Sequence, residues 1–167
     1  MPWKTTLERA AKDKREGKAP STQAGEFVKE EMEHVRRGKH GARSAKQAIA
    51  MGLSKARRAG VDLAAPKEGT TSKATRESAK RDARAGKKPA KKPSPKRSRA
   101  VENALKREGH SAASKQALSR QSRSAAKRRS ASDRSAAAKK AAKTKGTAAR
   151  KAAAKKAAKT RARKQRG

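Results

Sequence analysis

Apolar and polar positions alternate at helical spacing in two neighbouring stretches. Ala24, Phe27, Val28, Met32 and Val35 recur so as to line one face of a helix. It follows Pro20-Ser21-Thr22, where Ser21 or Thr22 can accept a bond from an orphan backbone N–H. Glu26, Glu30, Glu31 and Glu33 lie toward its start and Arg36 and Arg37 at its end, an order that complements the helix dipole. Gly38 is the predicted stop. In the second stretch Ala45, Ala48, Ile49, Gly52, Leu53 and Ala56 share a face, and Lys46, Ala50, Ser54, Arg57 and Arg58 take the other. Ser44 followed by Gln47 is a capping-box pattern at its start, and Gly60 ends it. The connection from Gly38 to Arg43 is short, which favours antiparallel neighbours, and Gly52 lets the first helix approach closely. The pattern predicts an αα-hairpin domain over residues 21–60.

Outside the hairpin the pattern thins. Residues 1–20 read as an N-terminal arm in which Leu7, Ala10 and Ala11 can start a short helix, with Trp3 as a packing residue against the hairpin. Residues 61–98 read as a flexible linker, broken by Pro66, Gly69, Gly86, Pro89, Pro93 and Pro95, with room for a short helix over 72–85. An echo follows: Gly38-Lys39-His40-Gly41 leading to Lys46-Gln47-Ala48-Ile49 is matched by Gly109-His110-Ser111-Ala112 leading to Lys115-Gln116-Ala117-Leu118. With Val101, Ala104 and Leu105 ahead of it, this allows a degenerate second short hairpin over 99–129. Residues 130–167 form a tail rich in Lys and Ala. Its helix propensity is high, but like charges at i,i+4 oppose a helix in water, so it is expected to order on an anionic polymer.

Composition sharpens this picture. Of the 167 residues only 15 are Ile, Leu, Val, Met, Phe or Trp, and all but Val101, Leu105 and Leu118 lie at or before Leu63. So few bulky residues cannot offset the chain entropy of one core spanning the whole sequence. Lys and Arg number 50 against 14 Asp and Glu, a formal net charge of +36. Residues 1–65 hold 15 basic and 8 acidic residues, whereas 66–167 hold 35 and 6. Low bulky-apolar content with high charge is the signature of disorder. The expected class is therefore mostly α, with large disordered regions and a basic low-complexity tail. There is no Cys, hence no disulfide or thiolate chemistry, and no apolar run long enough for a membrane span. The first residues lack the apolar segment of a secretory signal, so a cytoplasmic location is expected.

Two resemblances bear on these residues. Lys151-Ala152-Ala153-Ala154-Lys155-Lys156-Ala157-Ala158-Lys159, with the turn Ser94-Pro95-Lys96-Arg97, looks like the C-terminal domain of linker histones and of bacterial histone-like proteins with Lys/Ala tails. In such tails that turn is associated with minor-groove contact. Residues 19–61, with Ser21-Thr22-Gln23-Ala24-Gly25-Glu26-Phe27-Val28, Gly38-Lys39-His40-Gly41 and the run Lys46 to Gly60, are similar to a small bacterial basic domain family of unknown function. Its members are often labelled DNA-binding or plasmid-stabilisation proteins. The resemblance implies a bacterial origin and a place on the nucleoid, and it supplies no catalytic residues.

The charge itself points to a nucleic acid, because a cation of this size gains affinity by releasing condensed counterions. Without Tyr, and with one Phe and one Trp, there is no stacking platform for single strands, which favours duplex DNA over RNA loops. The expected role is a nucleoid-associated, histone-like protein that neutralises, and can bridge or compact, duplex DNA with little sequence specificity. The alternatives are an RNA- or ribosome-associated basic protein, or an adaptor whose hairpin docks a partner protein or a second copy of itself. The basic residues assigned to the interface are Lys46, Arg57 and Arg58 in the hairpin and Lys87, Lys88, Lys91, Lys92, Lys96 and Arg97 in the linker. Lys115, Arg120, Arg123, Lys127, Arg128 and Arg129 follow in 99–129, and Lys139, Lys140, Lys143, Lys151, Lys155, Lys156 and Lys159 in the tail. Arg57 and Arg58 are either solvated or available to a major groove. His34 and His40, six residues apart, and the distant His110 read as loop or surface histidines, with His34 pairing Glu30 and Glu31 on the surface. No metal, cofactor, small-molecule substrate or catalytic group is expected. No Gly-rich phosphate loop or nucleophile–base pattern occurs, and the expectation is that the protein is not an enzyme.

Overall fold

The computed structural model describes residues 2–88 and 94–165, without the side chains of 145, 164 and 165. About three quarters of the described residues are helical and none lies in a strand. The helices are α1 (Lys4–Arg15), α2 (Pro20–Arg36), α3 (Ala45–Arg58), α4 (Lys73–Gly86), α5 (Pro95–Lys106), α6 (Lys115–Lys127) and α7 (Ala131–Gln165), with a 3₁₀ turn at Ser111–Ala113. The chain divides into one compact unit, Met1–Gln121, and a second, Ser122–Gly167.

In the first unit α2 is the centre: α1 and α3 both pack on it, and α4 packs on α3. Pro20 occupies the first turn of α2, where its missing N–H costs nothing, and no side chain caps the helix. Capping by Ser21 or Thr22 is thus not what starts it. Its first turn also carries no acid, because the helix begins well before Glu26. α3 opens as the spacing requires. Ser44 Oγ accepts from the Gln47 N–H at 3.2 Å, and Gln47 Oε1 reaches back to accept from the Arg43 N–H at 2.9 Å. At the end of α2, Gly38 has φ 70°, its N–H bonds the Val35 carbonyl and the Lys39 N–H bonds the His34 carbonyl, closing two orphan carbonyls.

The core is small and in two parts. Ala10, Ala24, Phe27 and Ala56 are buried together, with Leu53, Val61 and Leu63 against them. Met32, Val35, Ala42, Ala48, Ala112 and Ala113 form the other part, flanked by Val28, Ile49 and Leu118. Gly52 is what brings α2 and α3 together: a Cβ there would stand 2.6 Å from Val28 Cα.

The short helices allowed for in the arm and in the linker are both present, and both are docked rather than free. Residues 1–20 carry α1, which buries Thr6, Ala10 and Asp13. The stretch 61–98 carries α4, capped by Ser72 and bound to α3 through Ala79 and Asp82. Both helices dock through small and polar groups rather than bulky apolar ones, which is why apolar periodicity understates them. The chain is therefore not largely irregular over its described length.

The echo at 109–118 also has a structural outcome. Gly41 N–H donates to the Leu105 carbonyl at 2.8 Å and Ala42 N–H to the Gly109 carbonyl at 3.0 Å. Arg36 Nε donates to the Ala113 carbonyl at 3.0 Å. Gly41 is required there, since a Cβ would lie 1.8 Å from the Glu108 carbonyl oxygen. The turn after Gly109 thus plugs Ala112 and Ala113 into the core around Met32, Val35, Ala42 and Ala48. α5 and α6 bury no side chain of their own, so their stripes of Val101, Ala104, Leu105 and Leu118 build no separate core.

In the second unit α7 has no apolar stripe, and nearly all its described side chains are exposed. At Gly146, φ 68° and ψ 169°, the helix is broken into two. No helix among the described residues is long and apolar enough to cross a membrane.

Candidate functional site

Two groups of residues stand out, one spread over exposed basic helices and one buried at the end of α2.

Most basic residues named from the sequence lie at the surface. Lys46, Arg58, Lys87, Lys88, Lys96, Arg97, Lys115 and Arg120 are exposed in the first unit. In the second, Arg123, Lys127, Arg128, Arg129, Lys139, Lys140, Lys143, Lys151, Lys155, Lys156 and Lys159 are exposed. Lys91 and Lys92 lie outside the described residues. Within α7 the pairs Lys139/Lys143, Lys151/Lys155 and Lys155/Lys159 are one helical turn apart, the spacing at which like charges repel. Asp133, the one acid after Glu108, bonds Ser130 rather than a basic side chain.

Arg57 is a correction. Only 7% of it is exposed, and its guanidinium donates to the Leu63 carbonyl from Nε at 3.2 Å and to the Ala64 carbonyl from Nη2 at 3.0 Å. It ties the chain after α3 back onto the helix and offers nothing to a groove. Burial pulls its pKa below the ordinary arginine value. Arg58 keeps most of its surface, but its Nε is 2.7 Å from Asp82 Oδ1, which also accepts from Ser54 at the other oxygen.

The buried group was assigned to the surface by spacing alone, and that too is corrected. Glu30, Glu31 and His34 are each at least nine-tenths buried, and His40 is half-buried beside them. α2 places Glu31 and His34 one turn apart, and the connection after Gly38 folds His40 back over both. Glu31 Oε1 is 2.8 Å from His40 Nε2, and Glu31 Oε2 is 2.5 Å from Lys55 Nζ on α3. Glu30 Oε1 is 3.8 Å from His34 Nε2, and its Oε2 accepts from the Trp3 backbone N–H at 3.1 Å. Trp3 meets His34 edge-on with ring centroids 4.7 Å apart, and Lys39 Nζ sits 4.8 Å from the Trp3 ring centre. Burial, then the nearby Lys55 ammonium, push the His34 pKa down, so its imidazole is neutral. Glu31, His34 and His40 present one ligand atom each, all within 4.8 Å of one another. The Glu-x-x-His step puts Glu31 and His34 on one helix face, and only the return of the chain after Gly38 adds His40 to them.

No family model, curated protein or solved structure matches this chain.

Proposed function

We propose that this protein binds duplex DNA through its phosphates, as a nucleoid-associated, histone-like protein of the bacterial cytoplasm, without catalysing a reaction. The supporting observation is α7 and the end of α6. They hold basic side chains exposed on all sides, with one acid and no apolar stripe to bury. A helix of that kind gains nothing from packing on a protein and much from phosphates, which cancel its i,i+4 repulsion and release their own counterions. The similarity of the tail to linker histones points the same way. A second observation favours duplex over single strands. Phe27 is 1% exposed and Trp3 is engaged with His34, so neither aromatic is free to stack on a base.

The test is the salt dependence of binding to random-sequence duplex. With about 10 or more phosphates neutralised, log K should fall against log salt with a slope near −9 or steeper, and unrelated duplexes should bind alike. A slope shallower than about −3 would overturn the electrostatic reading. A structured RNA that outcompetes duplex DNA at equal phosphate concentration would favour an RNA-associated role instead.

A further inference from the structure

We propose that Glu31, His34 and His40 form a binding site for a late first-row divalent metal ion of the Zn²⁺ class, with Glu30 beside it. The inference stands independently of DNA binding.

The first ground is the state of the donor atoms. Among the described residues, the buried polar atoms without a hydrogen-bond partner include Glu30 Oε1, Glu31 Oε1, Glu31 Oε2 and His34 Nε2, all in this one place. Buried polar atoms are seldom left so, and a cluster of them asks for a missing partner. Both Glu31 oxygens lie within ion-pair distance of cationic or imidazole nitrogens, yet neither makes a well-aligned hydrogen bond.

The second ground is His40. Its Nδ1 is 3.0 Å from the Gly41 carbonyl oxygen. A carbonyl only accepts, so Nδ1 donates there, and the ring turns Nε2 toward Glu31. Nε2 is 2.8 Å from Glu31 Oε1. A ring nitrogen and a carboxylate oxygen aimed at each other in this way can share one cation. A divalent metal ion is one such cation. Two ligands each about 2.0–2.1 Å from one tetrahedral ion stand about 3.4 Å apart, so this 2.8 Å pair would open by about half an ångström to take it. The backbone carbonyl on the far ring nitrogen is also the usual way a ligating histidine is oriented. Lys55 then keeps the second Glu31 oxygen as an ion-paired outer partner of a monodentate carboxylate.

The donor set decides the ion. Two imidazoles with carboxylate suit Zn²⁺, Ni²⁺ or Co²⁺, whereas Ca²⁺ and Mg²⁺ require mostly oxygen.

The test uses the full-length chain, stripped with chelator and titrated with Co²⁺. Trp3 is the only Trp and there is no Tyr, so the emission reports this site alone. With Trp3 against His34, one equivalent of Co²⁺ should quench most of that emission and produce visible Co²⁺ absorption bands. One equivalent of Zn²⁺ should reverse both, and excess Mg²⁺ should reverse neither. His40→Gln and Glu31→Gln should weaken Co²⁺ binding by at least about tenfold, while His110→Gln leaves it unchanged. Circular dichroism establishes that each variant is folded. A wild-type chain with no saturable quenching up to about 100 μM Co²⁺ would overturn the site. So would undiminished binding by folded His40→Gln. If a variant does not fold, the wild-type titration still decides.

Discussion

At the scale of single residues, the lesson is how differently neighbouring cations are used. Arg57 and Arg58 are adjacent in sequence, yet one is buried against two carbonyls and the other lies largely in solvent beside Asp82. Arg57→Met keeps the stem and removes the donors. It should destabilise the first unit by about 1–2 kcal/mol in urea denaturation, the worth of hydrogen bonds made by a charged group partly offset by hydration of Ala64. The same variant should leave the salt slope of DNA binding unchanged. A lost slope with unchanged stability would mean that Arg57 faces the nucleic acid after all. Lys55 is a second case. Its ammonium is the closest positive charge to the fully buried Glu31 carboxylate. Lys55→Met should cost about 3 kcal/mol in the metal-free chain, because it strands a buried charge rather than deleting a pair. Restoring most of that loss by a second change, Glu31→Gln, would identify the stranded carboxylate as the cause. Neither role is readable from residue type or spacing. A basic side chain four positions along a helix looks the same in sequence whether its partner is water, a carbonyl or an acid on another helix.

At the scale of elements, what was legible follows from what each helix uses to hold itself in place. The faces of α2 and α3 are written in bulky residues and glycines, and Ala24, Phe27, Met32, Val35, Ala48, Gly52 and Ala56 are all buried. α4 is held differently. Ala79, Asp82 and Gly86 are spaced three and four apart, and Asp82 takes both Ser54 and Arg58 as partners. In a window dominated by Lys and Arg such a face has no hydrophobic contrast, so it reads as linker. α1 docks in a similar way, through Thr6, Ala10 and Asp13, so its start was readable but its attachment was not. The Glu31–His34–His40 cluster needs a tertiary fact, the return of the connection after Gly38, that no spacing rule supplies. The close approach of α2 and α3 gives the direct test of this level. Gly52→Val would push branched carbons into the Val28 backbone, where even a Cβ stands 2.6 Å from Val28 Cα. Overpacking of this kind costs about 1–3 kcal/mol or more. The thermal melt of the chain should shift down by roughly 3 °C or more, given about 4 °C per kcal/mol for a unit of this size. An unchanged melt would show that α2 and α3 are not in contact at Gly52.

At the scale of the whole molecule, folding and charge are assigned to different parts of the chain. The buried residues of both core clusters, from Ala10 to Ala113, belong to the unit Met1–Gln121, and Leu118 flanks one of them. Among its described residues the unit Ser122–Gly167 contributes none that is buried, and the unit carries 18 of the 50 Lys and Arg with one acid. In the first unit many cations are already engaged by acids: Lys12 and Lys18 with Glu16, Arg37 with Glu33, Lys55 with Glu31, Arg58 with Asp82, Arg76 with Glu68, Lys80 with Glu77 and Lys106 with Glu102. Among the described residues of the second unit no such ion pair occurs. A cation already paired must give up its acid to take a phosphate, whereas a free one only exchanges water and releases a counterion. The 46 residues after Gln121 should therefore supply more of the affinity than their share of the net charge suggests. Stopping the chain at Gln121 should leave a cooperative melt at nearly the original temperature, because no core side chain is removed. It should also weaken duplex binding at least about tenfold near 150 mM salt and cut the slope of log K against log salt by about half or more. Binding of unchanged strength and slope would transfer the interface to the first unit, with Lys46, Lys87, Lys88, Lys96 and Arg97 as the exposed cations to substitute next. A lost melt would instead mean that the basic helices hold the small core together, which their exposed side chains give no reason to expect.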